Sequence, residues 1–326
     1  MSSHPQISVV IPLYNKRDTV ERALRSVLAQ TVQDFEIVVV NDGSTDGSAD
    51  VVRGINDPRI RLIEQPNAGV SAARNRGVAE ARKDLIAFLD ADDEWLPEFL
   101  QAIAELHARF PQCSVFATRY CFASADGRRW NPIIRGIVGD AAILLDDYFG
   151  IAARSDPPVW SSAVGVRKKA LLAVGGFPEG ITAGEDLLTW ARLACRCKIA
   201  YSQRIMSVYH LGCWAHGVPP RPPDLDDRVG RGLLALKNAD GAGPHRRSLC
   251  RYIGWWHKTR TSLFLRLGRK RLALLETLKG LSSWPTCPAL YFYLFAALLP
   301  SAVFNTMMGA RAASQGAGAG KRDANA

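Results

Sequence analysis

The chain has 326 residues, 48% hydrophobic and 22% charged, which suits one large domain with an appendage and excludes a disordered polymer. Seven scattered cysteines, the nearest pair being Cys195 and Cys197, exclude a disulfide-stapled scaffold and point to reduced thiols in a cytoplasmic setting. The net charge of +10 is lopsided: from His245 onward there are 13 Lys and Arg against 2 Asp and Glu, while the first 244 residues hold 28 basic and 29 acidic side chains.

The first ninety residues alternate strand-like and helix-like runs. Residues 7–13 (ISVVIPL) are β-branched and apolar, and Val20, Leu24, Val27 and Leu28 then fall at helical spacing. FEIVVVND (35–42), IRLIEQ (60–65) and DLIAFLDA (84–91) predict three more strands, with helices over SADVVRGI (48–55) and GVSAARNRGVAEAR (69–82) between them. Continuous apolar strands separated by helices predict an α/β fold with a mainly parallel sheet covered on both faces. Right-handed crossovers put the strand C-termini on one edge, where ligands bind. The polar groups collect there: residues 13–15, 41–46, 66–67 and 90–93.

Beyond that core, 96–110 predicts an amphipathic helix and 114–121 a strand, and 123–158 has no clear period. VWSSAVGVR (159–167) reads as a strand, LLTWARLA (187–194) as a helix, and 198–202 and 205–210 as two strands. The Pro-rich run at 217–227 is the expected boundary, giving a first domain over 1–218.

Asp90 and Asp92 are two apart in an extended turn, so both carboxylates can face one cation. Oxygen ligands suit Mg²⁺ or Mn²⁺, which are often shared with phosphates. A solvated acidic turn before a helix fits the same residues. Asn41, Asp42 and Asp46 form a polar, Gly-containing turn that can meet a ribose or base, or can simply cap a helix.

The stretches VVIPLYNKRDTVERALRSVLAQT, VVVNDGSTDGS, NAGVSAARNRGVAEA and IAFLDADDEWLP, followed by SSAVGVRKKALLAVGGFPEGITAGEDLLTWARLA, resemble the successive signatures of family 2 glycosyltransferases. The resemblance spans residues 7–210. It implies a GT-A fold, a nucleotide-diphosphate sugar donor with UDP favoured by family frequency, and inversion at the sugar carbon. By motif, Pro12, Tyr14 and Asn15 would line the nucleotide pocket and Asp42 would contact the base. Arg74 and Asn75 would face the diphosphate or support the metal loop. Asp90, Ala91 and Asp92 match the D-x-D, with Asp92 and Asp90 as metal ligands and His210 a tentative third. Asp186 matches the general base, with Glu185 orienting it, and Asp93, Gly176 and Phe177 would lie on the acceptor side.

The last hundred residues mix Trp, Phe and Leu with Arg and Lys, and 289–308 is a 20-residue uncharged run broken by Pro300. A monotopic helical region over 219–310 is expected, its apolar faces in the headgroup boundary and its basic groups on anionic lipid, with a disordered tail over 311–326. A single spanning helix over 289–308, or a helical extension that packs on the first domain or forms a dimer, fits the same composition. No nucleic-acid motif accompanies the charge, so nucleic acid is not an expected partner. The expected setting is peripheral, at the inner face of the cell membrane, with a glycan or lipid-linked acceptor. Two alternatives differ in what they require. A sugar nucleotidyltransferase needs a Gly-rich basic loop after the first strand, which PLYNKRD lacks; a non-catalytic nucleotide-sugar-binding protein has no need of Asp186.

Overall fold

The computed structural model describes residues 6–137, 141–211 and 223–299. It resolves into two compact units, Met1–Gly217 with Asp224–Tyr252, and Val218–Pro223 with Ile253–Ala326.

The first unit opens with β1 (Ile7–Leu13), α1 (Val20–Leu28), β2 (Phe35–Asp42), α2 (Ser48–Arg53), β3 (Ile60–Gln65), α3 (Val70–Glu80) and β4 (Leu85–Phe88). It continues through β5 (Glu94–Trp95), α4 (Phe99–Arg109), β6 (Cys113–Ser124), β7 (Arg129–Trp130), β8 (Ala142–Leu144) and α5 (Tyr148–Ala152). After a 3₁₀ turn at Ser161–Ala163 come β9 (Val164–Arg167), α6 (Lys168–Ala173), α7 (Glu185–Ala194), β10 (Lys198–Leu211) and α8 (Arg228–Asn238).

The sheet runs β3-β2-β1-β4-β9-β6-β10-β5, with β7 on β6 and β8 on β10. Strands β1 to β4 pair in parallel, whereas β9 runs antiparallel to β4 and β6. Every residue of β1 and β2 is buried. Val9, Ile11, Ile37 and Val39 pack toward α1, while Val38 and Val40 meet Ala73 of α3 on the other face. Each such side chain contributes about 1.5–3 kcal/mol by leaving water, which is why these strands read as unbroken apolar runs. Helix α3 crosses β1 so closely that a Cβ on Gly77 would lie 2.3 Å from Val10 Cγ1.

Three expectations shift. The separate strands over 198–202 and 205–210 are one strand, β10, whose register against β6 slips between Ser202 and Ile205 and again before Ser207. A bulge there explains the broken alternation. The strand expected over 159–167 begins as the 3₁₀ turn. The compact units do break at Gly217, in the Pro-rich run, but the first unit does not end there. Asp224–Tyr252 belongs with the first unit, where a Cβ on Gly232 of α8 would lie 2.7 Å from Leu188 Cδ2 and Tyr252 lies 5.6 Å from Phe149.

The second unit holds most of α9 (Arg246–Arg266), with α10 (Lys270–Ser283) and α11 (Pro288–Leu298). Phe264, Leu265, Ala273, Ala296 and Ala297 form its apolar contact. Beside it, buried Glu276 accepts from Arg260 Nε at 3.0 Å and Lys279 Nζ at 2.9 Å and pairs with His257 Nδ1 at 2.8 Å. Burial would raise the Glu276 carboxyl, yet these bonds and charges hold it down to about 2. Among the described residues no helix is long and apolar enough to cross a membrane. The second half of the 289–308 run and the tail at 311–326 lie outside the described residues.

Candidate active site

The polar loops at the C-terminal ends of β1, β2 and β4 are stitched together by side chains. Asn15 sits at φ +50°; its N–H donates to Ser44 Oγ at 3.0 Å and its Oδ1 accepts from Thr45 N at 2.9 Å. Asp42 is buried at the end of β2, and its oxygens accept from Gln65 Nε2 (2.7 Å), Ala68 N (2.9 Å) and Gly69 N (2.8 Å). Both residues therefore shape the rim of the edge. Tyr14 is exposed beside them.

After β4 the acidic loop divides by environment. Asp92 receives Lys16 Nζ at 2.5 Å and Asp90 receives Arg74 Nη2 at 2.8 Å; both carboxylates stay partly open. Ala91 is buried, its carbonyl accepting from Thr19 Oγ1 at 2.9 Å. Asp93 is fully buried: its Oδ2 accepts from Ser162 Oγ at 2.5 Å and its Oδ1 from the His210 N–H at 3.1 Å. Burial, then the charges of Asp90 and Asp92, push its carboxyl well above the usual range.

Arg74 joins this loop to α7. It is buried, and Nη1 donates to Glu185 Oε1 at 3.0 Å while Nη2 holds Asp90. Burial would weaken its charge, but Asp90 and Glu185 hold the guanidinium firmly protonated. Helix α7 starts here because Gly184 takes the left-handed conformation at φ +84°, and Glu185 and Asp186 then fall in the first turn, where the helix dipole favours carboxylates. Asp186 Oδ2 accepts from Ser161 Oγ at 3.1 Å and Oδ1 from Leu187 N at 2.7 Å. Its carboxyl is pushed up to about 6 by burial and then by the charge of Glu185. The edge thus brings Asp90, Glu185 and Asp186 together around one buried arginine, with Asp92 held by Lys16 in the same acidic loop.

Four expected site residues turn elsewhere. Pro12 is buried within β1 and cannot wall a pocket. Asn75 clamps a backbone turn: Nδ2 donates to the Phe177 carbonyl at 2.9 Å and Oδ1 accepts from Phe177 N at 2.8 Å. Phe177 is buried in an aromatic cluster, edge-on to Phe88 (5.2 Å) and Trp190 (5.6 Å), so its ring supports α7 and does not floor an acceptor site. Asp93, locked as above, cannot meet an acceptor either. Gly176 is needed for its shape: at φ +65° a Cβ would lie 2.6 Å from Asn75 Oδ1. Gly176→Ala should therefore cost roughly 1–3 kcal/mol in denaturant unfolding. A neutral result would mean the turn relaxes freely. His210 places Nε2 3.6 Å from Glu94 Oε2, and burial together with nearby Arg22 lowers its pKa; the imidazole faces Glu94.

Sequence assigns no role to several residues at the site, although Lys16, Trp95, Ser161 and Ser162 lie within the stretches quoted above. Ser161 and Ser162 tie the 3₁₀ turn to Asp186 and Asp93, and Trp95 Nε1 donates to the Ser162 carbonyl at 2.7 Å. Lys16 neutralises Asp92. The Tyr209 ring lies 4.6 Å from Trp160, tilted by 51°, and burial followed by the charges of Asp93, Asp92, Asp90 and Asp186 raises its hydroxyl pKa.

The Glycosyl transferase family 2 profile matches residues 8–169. An uncharacterized glycosyltransferase of Escherichia coli K12, YibD, is 37% identical over 139 residues, covering 41% of this chain and 39% of its own. A Mycobacterium tuberculosis protein, MT1568, is 33% identical over 217 residues, covering 63% of this chain and 66% of its own. The E. coli match thus spans about two fifths of that relative's length. Among solved structures, S. aureus TarS 1-349 in complex with UDP-GlcNAc aligns over 85% of this chain and 81% of its own, with TM-score 0.66 at 18% identity, which is a likeness of fold. The profile match runs from β1 through β9, the strands that carry the polar edge loops and the acidic turn, and on this ground the chain belongs to glycosyl transferase family 2.

Proposed function

We propose that the chain transfers a sugar, with inversion, from a nucleotide-diphosphate sugar to an acceptor hydroxyl. The observation that supports this best is the junction at Arg74, which sets the Asp186 carboxylate beside the acidic loop. Asp186 takes the acceptor proton as that oxygen attacks the anomeric carbon. The bond from this carbon to the diphosphate oxygen breaks, and the nucleoside diphosphate leaves with the electron pair. A carboxyl near pKa 6 is ionised at neutral pH and still basic enough to accept a proton. Glu185, held by Arg74, fixes the first turn of α7 and so orients the base. UDP is the favoured nucleotide, in line with the complexes in which S. aureus TarS was solved.

The donor chemistry of the acidic loop suits Mg²⁺ or Mn²⁺. Asp90 and Asp92 offer partly open carboxylate oxygens, and the Lys16 ammonium already sits against Asp92, where positive charge is needed. Asp90 and Asp92 would hold such an ion, which when bound offsets charge gathering on the diphosphate. The acceptor we favour is a lipid-linked or nascent cell-surface glycan, met at the inner face of the membrane. The basic, apolar C-terminal helices support that setting.

Calorimetric titration with UDP, GDP and dTDP, each with Mn²⁺ and with EDTA, tests the donor side. UDP should bind with Mn²⁺ and lose at least about tenfold in affinity in EDTA. A folded sample that binds none of the three would overturn the reading.

A further inference from the structure

The second unit exposes two apolar stripes on neighbouring helices. On α10 the buried line is Ala273, Glu276, Thr277 and Gly280. The 3.6-residue period places Leu275 and Leu278 on the opposite side. On α11, Tyr291, Phe295 and Leu298 follow i, i+4, i+7, apart from buried Leu290, Ala296 and Ala297. These five side chains are 50–69% exposed, against the usual habit of large hydrophobic residues. The charge around them is of one sign. Residues 253–299 contain seven Lys and Arg and a single acidic residue, Glu276, which is buried and bonded to His257, Arg260 and Lys279. Arg266, Arg269 and Arg271 are exposed, and Glu276 is the only carboxylate of residues 253–299.

We propose that the α10–α11 face docks on an anionic lipid bilayer. Leu275, Leu278, Tyr291, Phe295 and Leu298 enter the headgroup boundary, and Arg266, Arg269 and Arg271 meet lipid phosphates. This deepens the membrane setting proposed above and rests on it. Charge selects the occupant. A second copy would bring the same basic surface and be repelled, whereas a bilayer surface supplies both an apolar boundary and negative charge. Among the described residues no helix is long and apolar enough to cross a membrane, and the contact proposed runs parallel to the bilayer surface. The fold secures the pair from within. The Lys270 ammonium bonds the Leu299 carbonyl at the end of α11, and Pro288 opens that helix at its first turn.

Vesicle flotation of the full chain tests this, using phosphatidylcholine alone and phosphatidylcholine with about a third phosphatidylglycerol. The chain should float with the anionic vesicles, at least about tenfold more than with neutral ones, and lose much of that binding at roughly 0.5 M salt. Leu275→Ser/Leu278→Ser and Phe295→Ser/Leu298→Ser should each lower the bound fraction about tenfold, because they remove the groups that enter the boundary. All are exposed positions, so unfolding midpoints should hold. Arg266→Gln/Arg271→Gln should weaken anionic binding at low salt and leave neutral binding unchanged. Unaltered flotation of both Ser variants would overturn the proposal, as would a wild type that ignores anionic vesicles. A lipid-free dimer that the Ser variants dissociate would reassign the face to a second copy. UDP titration on the same samples separates the two readings: lost flotation with intact UDP binding removes the membrane face and leaves the transferase, and the converse does the reverse.

Discussion

Asp186→Asn should abolish transfer, by about 10²- to 10⁴-fold in kcat, while UDP affinity moves by no more than about threefold. The residue is poised for proton transfer and does not hold the acidic loop, since Arg74 reaches Asp90 and Glu185 directly. The same substitution should stabilise the protein. Its folded pKa of about 6 stands above the ordinary 3.8, so the native state binds this proton more tightly than the unfolded chain. The ionised carboxylate therefore carries a cost that is absent below about pH 4 and fully present above about pH 6. Asn has no charge to bury beside Glu185, and about 1–3 kcal/mol should be recovered at pH 8. Transfer by the wild type should fall on the acid side with a midpoint near 6. Equal loss of UDP binding in Asp186→Asn, or a lowered unfolding midpoint at pH 8, would make the residue a structural or donor-side group.

What sequence conveyed about this site follows from the range of the forces involved. The parallel strands β1, β2 and β4 are buried on both faces, so local hydrophobicity alone marks them and their polar C-terminal ends. Asp90 and Asp92 stand out because carboxylates beside an apolar run are conspicuous, whereas Asp186 is marked only by the family resemblance. Side-chain direction was less legible. Asp93 and Phe177 belong to the same motifs as their neighbours, yet burial turns them inward, to Ser162 and His210 in one case and to Phe88 and Trp190 in the other. The contacts that assemble the edge are distant in the chain: Lys16 and Asp92 are 76 residues apart, Arg74 and Glu185 111. No local pattern encodes such pairs. Two-residue β5 exists because β10 supplies Ser207 and Val208 as partners, which no propensity at Glu94–Trp95 announces.

Arg74→Met should be the most destabilising single change at the site, by about 3–5 kcal/mol at pH 8. The guanidinium is 3% exposed, donates 3.0 and 2.8 Å bonds to carboxylates from two elements, and lies 5.2 Å above the Phe177 ring. Methionine keeps much of the volume against that ring and removes the charge. Asp90 and Glu185 then stand with Asp93 and Asp186 in a pocket without its cation, and each ionised carboxylate costs more than it did. Protonation relieves this, so the deficit relative to wild type should shrink as pH falls from 8 toward 5. A packing defect has no reason to show that dependence. Arg74→Lys separates charge from geometry: a single ammonium restores part of the stability but cannot hold Asp90 and Glu185 in one plane, so activity should stay low while the midpoint recovers. Urea unfolding of both variants at the two pH values makes the comparison. A deficit below about 1 kcal/mol, equal at both, would mean that the acidic edge is held by Lys16, Ser161 and Ser162 without help from the arginine.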